Sequence, residues 1–202
     1  MTTGSDSFPA EQIEGHSSFD PRPVTKRSEP TDTNQGSRLC THCGLCCRGA
    51  LHDYAFLEPD EVEAATAIGL PVLDCEQLAF ALPCPKLAGT VCSIYGNRPL
   101  VCGRYRCQLL RNLEAGNLSF DDAIDKVDTA KGLAEGVEQA AERTLTLPEI
   151  RPLAVEPTPQ NTVAGERARS SRGKLAATVF TVYMDRHFRN DRDRHVFEFN
   201  SL

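Results

Sequence analysis

The chain contains no tryptophan, two methionines and only 6% aromatic residues. A core built from such a sequence is modest and largely aliphatic. There is no excess of positive charge: 22 Lys and Arg stand against 28 Asp and Glu, a formal net charge of −6. That balance makes nucleic acid an unlikely partner and argues against general binding to membrane surfaces. No long apolar run is present either. The longest, LAATVFTVYM at 175–184, is about half of the ~20 residues that a membrane span requires. The opening stretch MTTGSDSFPAEQIEGH has neither a basic segment nor an apolar one. It does not read as a secretory signal, and the expected setting is the cytoplasm. The phosphate-loop patterns G-x-x-x-x-G-K-[ST] and G-x-G-x-x-G are missing, as are G-x-S-x-G and H-E-x-x-H. Recognisable nucleotide or hydrolase chemistry is thereby excluded.

What the chain does have is cysteine, nine residues in all. Eight of them fall into a tight pattern: Cys40, Cys43, Cys46, Cys47, Cys84, Cys92, Cys102 and Cys107. A disulfide framework is the first alternative to metal. The missing signal sequence, the odd count and the crowding of four sulfurs into Cys40–Cys47 all weigh against it. Under reducing conditions such spacing points to metal or redox chemistry. A Cys-x-x-Cys turn aims two sulfurs at one point. A third cysteine three residues on extends it to the spacing of cubane iron–sulfur clusters. Cys46 and Cys47 are neighbours whose side chains diverge, so they can serve two metal positions. Eight thiols could fill two four-sulfur sites, or one cluster with thiols to spare.

Zinc with four thiolates carries a charge of about −2, and so does an oxidised 4Fe–4S cluster with four. Such a group calls for cations nearby. Arg48, Arg98, Arg104, Arg106 and Arg111 lie close to cysteines in sequence, and Arg98 and Arg104 are the candidates for supporting the centre. Cys75, in VLDCEQL, lies outside the pattern and reads as a small buried apolar residue. His42 and His52 are weaker ligand candidates than the thiols. His187 and His195 sit in a mixed charge run that reads as solvated surface. Tyr95 is expected to pack beside the cysteine loop, and Pro99 to stiffen the approach to Cys102.

The expected fold is mainly α, with an irregular, cysteine-rich, metal-organised region and few short strands. Residues 1–36 read as a disordered tail, because their scattered apolar residues cannot offset chain entropy. Residues 37–145 form the cysteine-cluster domain, with the first cysteines in a loop over 37–56. A helix is predicted at 59–68, entered through Pro59, Asp60 and Glu61 and stopped at Gly69. Residues 70–103 are expected to be irregular, with a short strand at 91–95. A helix over 104–115 carries Leu109, Leu110 and Leu113 and ends at Gly116. A long helix over 120–144 is capped by Ser119, with Phe120, Ile124, Val127, Ala130 or Leu133, Val137 and Ala141 as its stripe. Gly132 and Gly136 threaten to break it. Residues 146–173 read as a Pro-rich linker, followed by a helix at 174–188 using Leu175, Val179, Val182 or Tyr183, and Phe188, and then a tail to 202.

These cysteines, read with their neighbours, resemble the YkgJ-type cysteine-cluster family, whose members are described as zinc- or iron-chelating domains. Cys40, Cys43, Cys46 and Cys47 match its Cys-x-x-Cys-x-x-Cys-Cys run. Cys84, Pro85 and Leu87 match a Cys-Pro-x-Leu step. Cys92, Ile94, Tyr95, Arg98, Pro99 and Cys102 match the next block, and Cys107 is the last cysteine. One departure is Gly103, where relatives often carry Arg. The resemblance implies chelation of zinc or iron, with all eight thiols as candidate ligands, and the spacing leaves a 4Fe–4S cluster open. It implies no defined reaction. Two alternatives stand beside this reading. One is an iron–sulfur redox or protein-methylation enzyme, given a similarity to the cysteine-rich part of bacterial flagellin lysine methylases. The other is a module in which metal stiffens a loop that docks on a protein partner.

Overall fold

The structure, a computed structural model, describes residues 33–73, 78–155, 157 and 163–190. Residues 1–32 of the expected 1–36 tail, Cys75 and His195 lie outside the described residues, while the last four residues of that tail, 33–36, are helical.

Seven helices and five short strands are found among the described residues, in agreement with the expected mainly α fold. Helix α5 (Phe120–Ala141) is its spine. Ala123, Val127, Ala130, Ala134 and Val137 are buried along it, at the alternating four and three spacing that keeps one face inward. Ser119 caps it by accepting the Asp122 backbone N–H at 3.1 Å. Gly132 and Gly136 do not break it. Neither has a neighbour within 4 Å of where a side chain would begin, so both lie away from the packed face.

Helix α7 (Ala164–His187) packs along α5. It starts ten residues before the expected helix. Its polar first half is held by Arg169 and Arg172, which pair with Glu142 past the end of α5 at 3.3 and 3.0 Å. The buried residues of α7 are Gly173, Ala177, Phe180, Thr181 and Met184. Leu175 and Val179, expected to face inward, are exposed, and of the alternatives Val182 and Tyr183 it is Tyr183 that packs against the core. The rotation follows from close approach: a Cβ at Gly173 would sit 3.2 Å from the Ala141 Cβ. Small residues thus face α5 and the larger aliphatic ones turn outward. Phe188, as expected, is fully buried.

Helix α6 (Leu147–Val155) occupies what reads in sequence as a linker. Its two prolines are less disruptive than they look. Pro148 lies in the first turn, where its missing N–H costs nothing. Pro152 falls inside the helix, where burial of Leu147, Ile150 and Ala154 outweighs the lost hydrogen bond. The Glu149 carboxylate accepts from the Thr146 N–H at 2.7 Å and closes the entry.

Helices α1 (Thr33–Cys43) and α4 (Gln108–Glu114) complete this helical core. Helix α1 replaces the loop expected around Cys40 and Cys43. Its Leu39 is buried, and a Cβ at Gly36 would sit 3.2 Å from the Leu110 side chain of α4.

A second, smaller core lies beside the first. Strands β1 (Tyr54–Phe56), β2 (Val72–Leu73) and β3 (Ala79–Ala81) form an antiparallel sheet in the order β1-β3-β2. Ala55 and Val72 both pair with Phe80. Leu57, Ala65, Leu70 and Phe80 are its buried residues. Helix α2 (Val62–Ala67), entered through a 3₁₀ turn at Pro59–Glu61, contributes Ala65. The expected 91–95 strand shortens to β5 (Val91–Cys92), paired with β4 (Leu87–Ala88), and a 3₁₀ turn follows at Tyr95–Asn97. Helix α3 (Leu100–Arg104) ends this half, and the Glu61 carboxylate accepts the Leu100 N–H at its start at 2.7 Å.

Candidate metal centre

The cysteines line the seam between the two cores. Cys40 and Cys43 lie three residues apart on the last turns of α1, so they share a face. Gly44, at φ +66°, ends the helix and starts a tight reversal. In it Gly49 N–H donates to Cys46 O at 3.1 Å and Ala50 N–H to Leu45 O at 3.0 Å. Leu45, Ala50 and Leu51 are buried and anchor the turn in the helical core. Gly49 has φ +81°, and a Cβ there would meet Pro148 of α6 at 2.7 Å. The turn therefore admits only glycine at this position.

The turn sends its two adjacent cysteines to different places. Cys46 packs against the helical core with Cys43 and Cys107, and its thiol hydrogen-bonds Cys107. Cys107 is the residue before α4, without a side-chain capping hydrogen bond, and the backbone N–H groups of Leu109 and Leu110 nearby favour its thiolate. The Cys46 contact first, and then these N–H donors, lower the Cys107 pKa, while Cys46 is pushed well up. Cys43 is raised to about 12, chiefly by burial and then by Cys107 and Cys40. Cys40 is raised to about 11, chiefly by desolvation of its thiol and then by Cys107. Four thiols, those of Cys40, Cys43, Cys46 and Cys107, thus make one neighbourhood.

Cys47 belongs to the other. Its carbonyl accepts the Cys84 N–H at 2.8 Å. Cys92 follows in the β4–β5 hairpin, where it pairs with Leu87. Cys102 lies on α3. Cys84 and Cys102 pack against the sheet-side core. Cys47 is raised to about 11 by burial and then by Cys84 and Cys92. Cys102 is raised to about 12 by burial and then by Cys47, Cys84 and Cys92. Cys47, Cys84, Cys92 and Cys102 line one cavity of about 610 Å³, which Cys46 also reaches, and Cys47 acts on Cys40 and Cys46 as well.

Arg98 stands between the two neighbourhoods. Its charge acts on Cys40 in the first and on Cys47 and Cys102 in the second. It lies over the Tyr95 ring at 3.9 Å, and the Tyr95 hydroxyl reaches Ser37 of α1 at 3.3 Å. A Cβ at Gly103 would sit 3.6 Å from the Arg98 Nε, so this glycine lies beside the guanidinium. Arg104 is exposed at the end of α3. The other guanidinium that acts on Cys40 is that of Arg106, which is itself held by the Gly103 carbonyl at 2.8 Å.

The histidines are engaged elsewhere. His42 bonds Asp128 of α5 at 2.7 Å, and its carbonyl accepts from Lys131 at 2.7 Å. His52 meets Tyr105 edge-on at 5.2 Å. His187 packs against Tyr183 at 4.5 Å rather than standing in solvent.

Two arginines that spacing could not flag fix the turn from below. Arg151 of α6 donates to the Leu51 carbonyl at 3.0 Å and pairs with Asp53. Arg189, fully buried, donates to the Ala50 carbonyl at 3.0 Å and pairs with Asp185.

Residues 39–127 match the model of a family named CxxCxxCC, described as a "putative zinc- or iron-chelating domain". No curated protein and no solved structure matches the chain. The CxxCxxCC segment runs from the end of α1 into α5 and holds all eight motif cysteines. Its donor chemistry fits zinc or iron: sulfur in excess, partly buried, with arginine beside it. Its side chains as they stand do not close a site. Among the described residues, no three Cys, His, Asp or Glu side chains converge as ligands of one ion would.

Proposed function

We propose that the protein chelates zinc or iron in two four-thiolate centres, one held by Cys40, Cys43, Cys46 and Cys107 and the other by Cys47, Cys84, Cys92 and Cys102. The observation that carries this reading is the divergence of Cys46 and Cys47. Adjacent in sequence, they lean to different partners, Cys46 to Cys107 and Cys43, and Cys47 to Cys84 and Cys92, while both line the same cavity. Neither group has a thiol to spare, which favours two centres over one cluster.

Raised thiol pKa values support the same reading. Burial first, and neighbouring thiolates after it, hold most of these groups protonated. A cation favours the thiolates, so binding displaces protons and ties the segment down. A cytoplasmic setting, in which thiols stay reduced, suits the chemistry. Arg98, acting on both groups, offsets part of their negative charge, and Arg106 assists at Cys40.

The test is elemental analysis with an absorption spectrum, on protein prepared without oxygen. Zinc at about two equivalents in a colourless sample, or iron with acid-labile sulfide in a brown one, is the expected result. Metal well below one equivalent contradicts it.

A further inference from the structure

The cavity beside Cys47 and Cys102, at about 610 Å³, falls within the range of small-molecule sites and is far larger than one ion needs. One end is formed by the cysteines. The remainder is walled by apolar side chains, among them Leu51, Leu70, Phe80, Leu82, Ile94 and Val101. At its mouth stand Tyr54 and Phe56 on the edge strand β1, 48% and 46% exposed, in edge-to-face contact at 5.3 Å. Two large aromatic rings left in water at the rim of an apolar hollow are surface that a ligand can cover.

The charges around the cavity are answered once the thiols hold metal as proposed above. Arg151 is paired with Asp53 and the Leu51 carbonyl. Arg98 lies on Tyr95 and beside the thiols. A charged ligand would be desolvated here without a free partner. We propose that this cavity binds a neutral, largely apolar organic molecule with a flat ring system, gripped at the mouth by Tyr54 and Phe56.

The test titrates two dyes into the full-length, metal-loaded protein and follows fluorescence. N-Phenyl-1-naphthylamine is neutral, and 8-anilinonaphthalene-1-sulfonate is the same ring system with one negative charge. The neutral dye should saturate at one per chain, and the sulfonate should bind about tenfold more weakly, equivalent to about 1.4 kcal/mol. Tyr54→Ala and Phe56→Ala should each weaken the neutral dye about threefold, and the double variant about tenfold. Both residues are half in water, so metal content and melting temperature should be unchanged. No saturable binding, equal binding of the two dyes, or full affinity in both single variants would each overturn the proposal. Dye binding by a chain that takes up no metal would uphold this site and sink the two-centre reading. Metal without dye binding would do the reverse.

Discussion

The Cys84 N–H donates to the Cys47 carbonyl at 2.8 Å. That bond ties the Cys-Pro-x-Leu step to the second half of the Cys-Cys pair, while Cys46 turns the other way to Cys107. The proposed division of the thiols builds on these two contacts, and it has consequences that single substitutions expose.

Cys43→Ser should remove one metal centre and Cys102→Ser the other, each leaving half of the wild-type metal by elemental analysis. Each loss forfeits folding free energy on the order of 10 kcal/mol per structural site. Cys43→Ser should loosen the helical half and Cys102→Ser the sheet side, as read by hydrogen exchange. Cys75→Ser, outside the motif, should keep both centres. Loss of all metal from either single variant would point to one shared cluster.

Alkaline conditions should destabilise the metal-free, reduced protein. Cys43 titrates near 12 in the folded chain against a reference of 9.0. Below pH 9 both states hold the proton and the full stability is present. As pH rises from 9 toward 12 the unfolded chain ionises first and stability falls, by up to about 1.4 kcal/mol per pH unit for each such thiol. Urea midpoints at pH 8 and pH 10 measure this, and Cys43→Ala should flatten the slope. A midpoint that stays level or rises with pH contradicts the assignment.

Much of the helical core is legible in the sequence. Ser119 with Asp122, and the spacing of Val127, Ala130 and Val137, announce α5 without help. Leu109, Leu110 and Leu113 do the same for α4, and all three are buried. Helix α1 is not legible. Its residues are mostly polar, and what holds it is contact with α4 and α5, including Gly36 against Leu110 and His42 against Asp128. Helix α6 is hidden by its prolines. The α7 face is misread because Gly173 and Ala177 carry no hydrophobic signal yet decide which side meets α5. At the site, the adjacency of Cys46 and Cys47 suggests two positions, but spacing cannot say that Cys107, last in sequence, joins the first group. That depends on the chain doubling back through α4. Arg151 and Arg189 act on carbonyls far away in sequence and leave no local trace.

Gly49→Ala should cost about 2–4 kcal/mol, because it adds strain at φ +81° to a clash with Pro148 at 2.7 Å. Gly89→Ala, also at positive φ but in open space, should cost about 1 kcal/mol. Gly96→Ala, with neither constraint, should be close to neutral. Chemical denaturation of the three variants checks the ranking, and an equal loss in all of them would rule out a tight seat on α6.

Arg189→Met should destabilise by about 3–5 kcal/mol, since it leaves Asp185 with no buried partner and frees the Ala50 carbonyl. Denaturation should show the loss, and metal release should quicken as the cysteine turn loosens. A variant as stable as wild type would mean that the pair contributes nothing to holding the turn.

The most direct test of the two-centre account is X-ray absorption at the edge of the bound metal, on protein prepared without oxygen. The account predicts a first shell of sulfur alone, four per metal at about 2.3 Å, and the same shell around the metal that remains in Cys43→Ser and in Cys102→Ser. A shell with nitrogen or oxygen ligands, or with fewer than four sulfurs per metal, would contradict it.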